Sequence, residues 1–399
     1  MKAHEIFEYD SKYIIHTYKR TPVIFVKGKK CFLWDIHGKQ YLDFVSGLAV
    51  NNIGHCNFKV TSAIRNQSYK LMHVSNLYYT VPSVKLAKEL CRISFAQKCF
   101  FCNSGAEANE ATIKLTRKYA KTKFGENKHT IITFSSSFHG RTMGTLTATA
   151  QEKFHKGYEP LLPGFKYANF NDIESAKNLI DENTAGIMVE PIQGEGGVNI
   201  ATQEFIQGLR ELCDKNNLLL IFDEVQTGIG RTGAMFAYEH YKITPDIMTL
   251  AKAIGGGLPL GVMLTKDTIA EVFDYGSHAS TFGANPVVCA AAIAVLNIIQ
   301  KEKLIKNAKE MGEYFLSKLQ NLKAKYNKIV DVRGLGLMIA VELNSSGEKI
   351  VEECMKEGLI INLIGEKIIR FLPPLIVTKK EIDKAINILN KVGASLLAQ

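Results

Sequence analysis

From about residue 56 to residue 300, short apolar runs alternate with longer segments that have helical period. This alternation is typical of an α/β fold with a mostly parallel sheet flanked by helices. Ligands of such sheets bind beyond the carboxyl ends of the strands, so the residues that follow each run are the functional candidates. The apolar runs expected to form strands are 98–102, 130–134, 186–190, 218–223 and 246–250.

The segments on either side of this region have a different pattern. Residues 1–55 predict hairpins and turns, whereas residues from about 300 onward combine helices with short strands such as 337–343. We therefore expect a large cofactor-binding domain over residues 56–300. Residues 1–55 and 301–399 are expected to form a smaller α/β domain together. A chain of 399 residues with 46% hydrophobic residues is long enough to bury both cores.

The composition argues against several other classes of protein. The apolar run 287–299 is shorter than the roughly 20 residues of a membrane-spanning helix. Acidic residues near the N-terminus interrupt any secretory signal, so a cytoplasmic location is expected. The net charge of +10 comes from dispersed lysines interleaved with acidic residues, which favours a solvated surface over nucleic-acid binding.

The eight cysteines are scattered along the chain, which favours reduced thiols in the core over a disulfide framework. Cys99 and Cys102 form the only close pair. They lie in an apolar run, and no second pair is present to complete a four-ligand metal site. No metal is therefore expected.

The segment NSGAEAN (103–109) follows one expected strand and opens a helix. Ser104 can donate a hydroxyl and Gly105 lets the backbone approach closely, so a phosphate can bind at the positive end of the helix dipole. Any capped turn from a strand to a helix has a similar sequence, so an ordinary cap is the alternative.

The segment SSSFHGRT (135–142) pairs an aromatic ring with a cation at the end of the next strand. Phe138 can stack on a planar cofactor, and Arg141 can bind a carboxylate through two parallel hydrogen bonds. The alternative is that Phe138 belongs to the core and Arg141 is a surface charge.

Asp223 directly follows an apolar run that must be buried. A buried carboxylate needs a cation or a proton, and a protonated pyridine nitrogen is such a cation. Gln226 is close enough in sequence to hydrogen-bond the phenolic oxygen of the same ring. The alternative is that Asp223 caps a helix or forms a structural ion pair.

Lys252 stands alone between an apolar strand and a glycine run, a setting that lowers the pKa of an amine and makes it nucleophilic. Farther along, Ser280 and Thr281 offer two more hydroxyls before a helix that begins near Pro286. A phosphate cup, a stacking aromatic, an acid for the ring nitrogen and a reactive lysine together describe a pyridoxal 5'-phosphate site.

The chain resembles the class III, ornithine-type aminotransferases, which belong to the fold-type I pyridoxal phosphate enzymes. The resemblance runs nearly end to end. It is carried, in chain order, by the segments SGLAVNNIGH (46–55), NSGAEANE (103–110), FHGRTMG (138–144), VEPIQGEGG (189–197), FDEVQTGIGRTG (222–233), LAKAIGGGLPLG (250–261), STFGANP (280–286), RGLGLM (333–338) and RFLPPL (370–375).

The resemblance implies roles for individual residues around the cofactor. The phosphate would be held by Gly105 and Ala106, with Ser104 beside them, while Phe138 would stack on the ring. Asp223 would pair with the pyridine nitrogen, Gln226 would meet the ring oxygen, and Lys252 would bond to the cofactor covalently. Thr281 would reach the phosphate in the neighbouring subunit, which implies a homodimer with shared active sites.

The resemblance also implies a substrate pair. SGLAVNNIGH and HVSNLYY (73–79) are similar to members that act on N-acetylornithine, with 2-oxoglutarate as the acceptor. Glu195 would pair with Arg370 while the amine donor reacts and then release it to bind the acceptor's α-carboxylate. Arg141 would hold a carboxylate of each substrate in turn, and Ser280 is a further substrate-binding candidate. A permanent structural ion pair is the alternative for Glu195 and Arg370.

Several alternatives stay open at this point. Ornithine, succinylornithine, succinyl-diaminopimelate or 4-aminobutyrate aminotransferases would use nearly the same residues, and an aminomutase would need no separate 2-oxo acid. A non-catalytic metabolite-binding protein of the same fold would have no need for Lys252. The sequence departs from the family pattern at Ala106, where many members carry Thr, and His139 replaces other aromatic residues. Both departures are expected to tune affinity.

Overall fold

The N-terminal part of the chain folds into a helix and a small antiparallel sheet. The structure is a computed structural model that describes residues 1–397. The elements here are α1 (Ala3–Tyr13), β1 (Phe25–Lys29), β2 (Phe32–Asp35) and β3 (Gln40–Asp43). The hairpins and turns expected over residues 1–55 included a turn at residues 27–29, but these residues lie inside β1, and α1 was not predicted. None of the α1 side chains is buried, so the sequence carried no apolar stripe to reveal this helix.

The next segment leads into the large sheet through three helices, namely α2 (Ser46–Ala49), α3 (Phe58–Ser68) and α4 (Val81–Ile93). The short α2 is a single left-handed turn, because φ is positive at all four of its residues. It is followed by Val50, which lines the cavity of the candidate active site described below.

A mostly parallel sheet of seven strands forms the centre of the molecule, as the sequence predicted. Its order is β4-β12-β11-β10-β7-β5-β6, and only β12 runs antiparallel to its neighbours. A separate pair, β8 and β9, lies beside it. The strands of this region are β4 (Lys98–Cys102), β5 (Thr130–Phe134), β6 (Phe165–Ala168), β7 (Thr184–Val189), β8 (Ile192–Gln193), β9 (Asn199–Ile200), β10 (Leu219–Asp223), β11 (Ile247–Leu250) and β12 (Gly261–Thr265).

Helices cover both faces of this sheet. In β10, Leu220 and Phe222 pack into one apolar cluster, and the alternate residues Leu219 and Ile221 pack into another. Short 3-10 helices span Ala237–Tyr241 and Lys252–Gly255. The α-helices are α5 (Gly105–Phe124), α6 (Met143–Ala148), α7 (Glu152–His155), α8 (Ile173–Asn178), α9 (Gln203–Asn216), α10 (Asp267–Ala270) and α11 (Pro286–Lys301).

The C-terminal part contains a second antiparallel sheet, ordered β13-β14-β17-β16. Its elements are α12 (Leu304–Lys325), β13 (Ile329–Leu335), β14 (Met338–Leu343), α13 (Glu348–Lys356), β15 (Leu359–Ile360), β16 (Asn362–Ile364), β17 (Ile368–Phe371) and α14 (Lys379–Leu396).

The two ends of the chain meet in one sheet, because β15 pairs in parallel with β3. This pairing supports the proposed smaller domain made of residues 1–55 and 301–399, of which residues 398 and 399 lie outside the described part. Among the described residues, no helix has both the length and the apolar character required to span a bilayer.

Candidate active site

A cavity of about 550 Å³ opens where β4, β5, β7, β10 and β11 end. This is the edge at which the sequence placed the functional candidates. The predicted site residues that line it are Ser104, Gly105, Ala106, Phe138, Arg141, Glu195, Asp223, Gln226 and Lys252. One cavity therefore brings together most of the residues that the separate motifs singled out.

Lys252 enters the cavity from the tight turn after β11, with φ of 49°. Burial lowers the pKa of its amine, and the nearby guanidinium of Arg370 adds to this effect. The carboxyl groups of Glu195, Asp223 and Glu190 act in the opposite direction without cancelling it. A lowered pKa increases the fraction of neutral amine, which is the nucleophilic form.

Asp223, at the end of β10, is only 4% exposed. Its Oδ2 accepts hydrogen bonds from the Asn109 side-chain amide and from Nδ1 of His139, both at 2.8 Å, and its Oδ1 accepts the Val225 N–H at 3.0 Å. No lysine or arginine in residues 1–397 pairs with this carboxylate. The arrangement fixes the carboxylate firmly and leaves it suited to a cationic ligand in the cavity.

The N-terminus of α5 forms the second wall. Ser104 caps this helix by accepting the N–H of Glu107 at 3.1 Å, so its hydroxyl already has a structural task. The N–H groups of Gly105 and Ala106 belong to the first turn, which has no acceptors within the helix. At Gly105 a Cβ atom would stand 2.8 Å from the Val225 side chain, so glycine is required for this close approach. These two N–H groups and the helix dipole can bind a phosphate.

Phe138 lines the cavity on the loop after β5, and its backbone N–H donates to Glu190 at 2.9 Å. The exposed guanidinium of Arg141 lies 3.9 Å from the ring centre of Phe154 and 5.6 Å from that of Phe138. These cation–π contacts hold the guanidinium over an apolar wall. Its hydrogen-bond donors can therefore reach an anionic ligand in the cavity.

Glu195 and Arg370 form an ion pair of 2.7 Å. The guanidinium is 1% exposed and the Glu195 side chain 30% exposed. Arg370 also donates to the side chains of Asn362, at 3.0 and 2.6 Å, and of Gln226, at 3.2 Å. Burial acts to raise the pKa of Glu195, but Arg370 outweighs it, and the pKa is lowered overall. Arg370 itself does not line the cavity, but it contacts Glu195, which does.

Ser280 and Thr281 do not line the cavity of this chain. Thr281 is exposed. The Ser280 hydroxyl accepts hydrogen bonds from the Asn103 amide at 3.3 Å and from the Gly283 N–H at 3.0 Å. Their predicted roles stay predictions, and that of Thr281 requires a second subunit.

Glu190 lines the same cavity and was not among the predicted site residues. It is 8% exposed. Burial raises its pKa well above the usual range, and the charge of Asp223 adds to this, while the N–H of Phe138 opposes it. The sequence did contain a signal, because Glu190 directly follows the buried strand β7, just as Asp223 ends β10 and Lys252 lies two residues after the end of β11. The sequence pattern alone places Glu190 only at the end of a strand.

Comparisons with known proteins agree with this geometry. The family model described as aminotransferase class-III matches residues 13–392. An acetylornithine aminotransferase of Methanocaldococcus jannaschii is 51% identical over 394 residues, which cover 98% of each protein. The crystal structure of acetylornithine aminotransferase from Elizabethkingia anophelis superposes with a TM-score of 0.90 at 32% identity, covering 99% of this chain and 100% of the other. An ornithine aminotransferase from Toxoplasma gondii ME49 gives a TM-score of 0.96 at 30% identity, covering 99% and 96%.

Proposed function

The chain belongs to the class-III aminotransferases, and on that premise we propose that it transfers the terminal amino group of N-acetylornithine to 2-oxoglutarate. The products are N-acetylglutamate semialdehyde and glutamate, and the reaction is a step of arginine biosynthesis. The observation that carries the proposal is that Lys252 and Asp223 line the same cavity as the N-terminus of α5. The substrate follows the relatives named acetylornithine aminotransferase, which are about half identical over nearly the whole chain.

The cofactor of this enzyme is pyridoxal 5'-phosphate, which when bound makes the carbon next to the reacting nitrogen acidic by withdrawing electrons into its ring. The residues fit this group. Asp223 is a buried carboxylate that lacks a lysine or arginine partner in residues 1–397, and it would hold the protonated ring nitrogen. Gly105 and Ala106 would bind the phosphate, Phe138 would cover the ring, and Gln226 would meet the ring oxygen.

Lys252 has two tasks in this proposal. Its amine would hold the cofactor covalently in the resting enzyme. Once a substrate amine has taken that place, Nζ would be the base that takes a proton from the substrate carbon. The lowered pKa of Lys252, caused first by burial, supplies the neutral amine that both tasks require.

Two unlike substrates must use one pocket, and three charged residues would allow this. Arg141 would bind the α-carboxylate of N-acetylornithine and later the acceptor's distal carboxylate. The pair between Glu195 and Arg370 would stay closed while the donor reacts. It would open when 2-oxoglutarate binds, so that Arg370 holds the carboxylate beside the reacting carbonyl. Asn362 and Gln226 would keep Arg370 in place during this exchange.

A homodimer is part of the proposal. Thr281 is exposed and lies off the cavity, which suits a residue that completes the site of a second subunit. Around it, Leu77, Tyr79 and Phe282 leave large apolar side chains exposed. Asn76 connects the segment that contains Leu77 and Tyr79 to the segment that contains Thr281 and Phe282. Its side-chain amide donates hydrogen bonds to the carbonyl groups of Ser280 and Gly283, at 2.8 and 3.0 Å. An exposed apolar surface of this kind is typical of a protein interface. We also propose a cytoplasmic location, consistent with eight cysteines that are all free thiols.

The test is a panel of amine donors with 2-oxoglutarate as the acceptor. We expect the highest kcat/KM for N-acetylornithine, ahead of ornithine, the succinylated amines and 4-aminobutyrate. If another donor gave a higher kcat/KM, that donor would be assigned as the substrate, and the assignment of the chain as an aminotransferase would stand. Turnover without any 2-oxo acid would indicate an aminomutase, and spectral binding of donors without turnover would indicate a metabolite-binding protein.

A further inference from the structure

Phe154, a half-buried residue of the short helix α7, packs against Arg141. The centre of its ring lies 3.9 Å from the guanidinium carbon of Arg141, which is van der Waals contact, whereas the centre of the Phe138 ring lies 5.6 Å from that carbon. The two rings meet edge to face, with centres 6.1 Å apart and an angle of 84° between their planes. Phe154 itself does not line the cavity, so it can affect a ligand there only through Arg141 or Phe138, which do.

The side chain of Arg141 is restrained by aromatic contacts and not by polar ones. It is exposed, and its guanidinium forms neither a hydrogen bond nor an ion pair with another of the residues 1–397. Arg370, by contrast, is fixed by Glu195 and Asn362. An arginine that stacks on an aromatic ring keeps its hydrogen-bond donors, which lie in the plane of the cation, available for a carboxylate. Phe154 therefore restrains Arg141 without occupying the groups that bind an anion.

The residues on either side of Phe154 fix its position. The next residue, His155, is 9% exposed, and its Nε2 donates to the carbonyl group of Thr149 at 2.7 Å. Just before α7, the side-chain amide of Gln151 donates to the carbonyl group of Ser137 at 2.8 Å. Ser137 belongs to the loop after β5, the same loop that carries the guanidinium. The ring and the cation are therefore held next to each other by two bonds that involve neither of them.

We propose that Phe154 positions Arg141 for substrate carboxylates by holding its guanidinium against the cavity wall before a substrate arrives. Phe154 is thus a positioning residue, since it acts on the substrate through another side chain. The proposal rests on the carboxylate-binding role proposed above for Arg141. Because that role covers a carboxylate of each substrate in turn, Phe154 should serve N-acetylornithine and 2-oxoglutarate alike.

The expected gain in affinity is entropic. A long side chain loses rotational freedom when it binds a ligand, and this loss weakens binding by a factor of roughly 2 to 10. A guanidinium that is already stacked on Phe154 has lost much of this freedom in the free enzyme. Removing the ring should restore the freedom of Arg141 and weaken the binding of a carboxylate by a factor in that range.

Binding of glutarate to the holoenzyme tests the proposal without turnover. Glutarate has the two carboxylates of 2-oxoglutarate but lacks the reacting carbonyl group, and calorimetry measures its Kd. Phe154→Leu keeps an apolar side chain and removes the flat ring, so Kd should rise by roughly 2- to 10-fold. Phe154→Tyr keeps the ring and should bind glutarate as the wild type does. A wild-type Kd in Phe154→Leu, or an equal loss in both variants, would overturn the proposal.

A double-variant cycle shows whether Phe154 acts through Arg141. In the Arg141→Ala background the ring has no guanidinium to hold, so Phe154→Leu should cause no further rise in Kd. An additive rise would refute the proposal, because Phe154 would then act by another route, such as its contact with Phe138.

Arg141→Ala by itself separates this inference from the proposed function. It should weaken glutarate binding more than Phe154→Leu does. If Arg141→Ala binds glutarate normally, the carboxylate role of Arg141 fails and the inference fails with it. If Arg141→Ala weakens binding and Phe154→Leu does not, only the inference fails.

Phe165→Leu is the matched control. The guanidinium carbon of Arg117 lies 5.4 Å from the centre of the Phe165 ring, and neither residue lines the cavity. This variant also removes a ring beside an arginine, and it should leave the Kd of glutarate unchanged. A rise as large as that in Phe154→Leu would show that the effect is not specific to Arg141 and would overturn the proposal.

Steady-state kinetics supply a readout that a merely structural role would not give. In Phe154→Leu the KM values of N-acetylornithine and 2-oxoglutarate should rise by a similar factor, while kcat and the absorbance spectrum of the bound cofactor stay close to those of the wild type. A fall in kcat with unchanged KM values, or a changed spectrum, would contradict the proposal, because Phe154 would then act on the cofactor and not on the carboxylate.

Discussion

Two carboxylates that line the cavity, Asp223 and Glu195, are held in contrasting ways. Asp223 is 4% exposed and accepts hydrogen bonds from Asn109, His139 and the Val225 N–H. Glu195 is 30% exposed and is held chiefly by Arg370. The first carboxylate has several fixed donors and limited access to solvent, whereas the second has one strong partner and can exchange it for water.

The difference shows how one cavity combines a permanent task with a reversible one. A carboxylate that holds a cofactor must keep its position throughout the reaction, and the bonds from α5 and the β5 loop keep Asp223 there. A carboxylate that must release a guanidinium needs a place to move. Partial exposure gives Glu195 that place, while Arg370 stays anchored by Asn362. We therefore expect substitutions at Asp223 and substitutions in the pair of Glu195 and Arg370 to affect different kinetic parameters.

The largest effect is expected at Asp223. Asp223→Asn keeps the size of the side chain but removes the charge that balances the ring nitrogen. Breaking a buried charge pair costs about 3–5 kcal/mol, so kcat/KM should fall by roughly 10²- to 10⁴-fold for both substrates. Steady-state kinetics with excess cofactor measure this loss.

Asp246→Asn is the matched control. Asp246 is also a buried carboxylate of this sheet, but it lies at the start of β11 and pairs with Arg210 and Lys266 at 2.8 and 2.7 Å. Its loss should lower Tm and leave kcat of the folded enzyme close to the wild type. If Asp223→Asn and Asp246→Asn lost similar amounts of activity, the loss in Asp223→Asn would reflect the removal of a buried carboxylate from the sheet and not the removal of a contact with the cofactor.

A smaller and selective effect is expected at Arg370. Arg370→Lys keeps the charge but loses the planar geometry that binds a carboxylate through two bonds. For the acceptor, 2-oxoglutarate, KM should rise by roughly 10- to 100-fold, because a hydrogen bond to a charged group contributes about 1.5–3 kcal/mol. For the donor, N-acetylornithine, KM should change less. Arg141→Ala is the contrasting variant, because it should raise both KM values.

The smallest effect concerns acid stability. Because Arg370 lowers the pKa of Glu195, their pair stabilises the fold at pH values above the unfolded pKa of about 4.3 and loses this contribution as the pH falls through the lower folded pKa. Wild type should exceed Glu195→Gln in free energy of unfolding by about 1 kcal/mol at pH 7. The gap should close in acid. Denaturant unfolding measures it, and a gap that stays constant down to pH 3 would contradict the role of this charge.

Features with a strong local signal were predicted well from the sequence. The five expected strands all form. The apolar runs of β5, β7, β10 and β11 are buried along their whole length, whereas most of β4 is half-buried. Asp223 and Lys252 were located because Asp223 ends such a run and Lys252 comes two residues after one. Their presence in one cavity follows from the parallel order of the strands, which brings the carboxyl ends to one edge.

Features that depend on long-range packing were missed. The reversed strand β12 was not predicted, although only ten residues separate β11 from β12, too few for the crossover that a parallel neighbour needs. The place of Glu190 in the lining of the cavity likewise became visible only in the folded chain.

The covalent position of the cofactor tests the central claim most directly. The holoenzyme is reduced with borohydride, digested and mapped by mass spectrometry. We predict that phosphopyridoxyl is attached to Lys252 in the wild type, and that Lys252→Ala forms no reducible adduct and has lost its yellow chromophore. Attachment to a different lysine, or an adduct that persists in Lys252→Ala, would contradict the account.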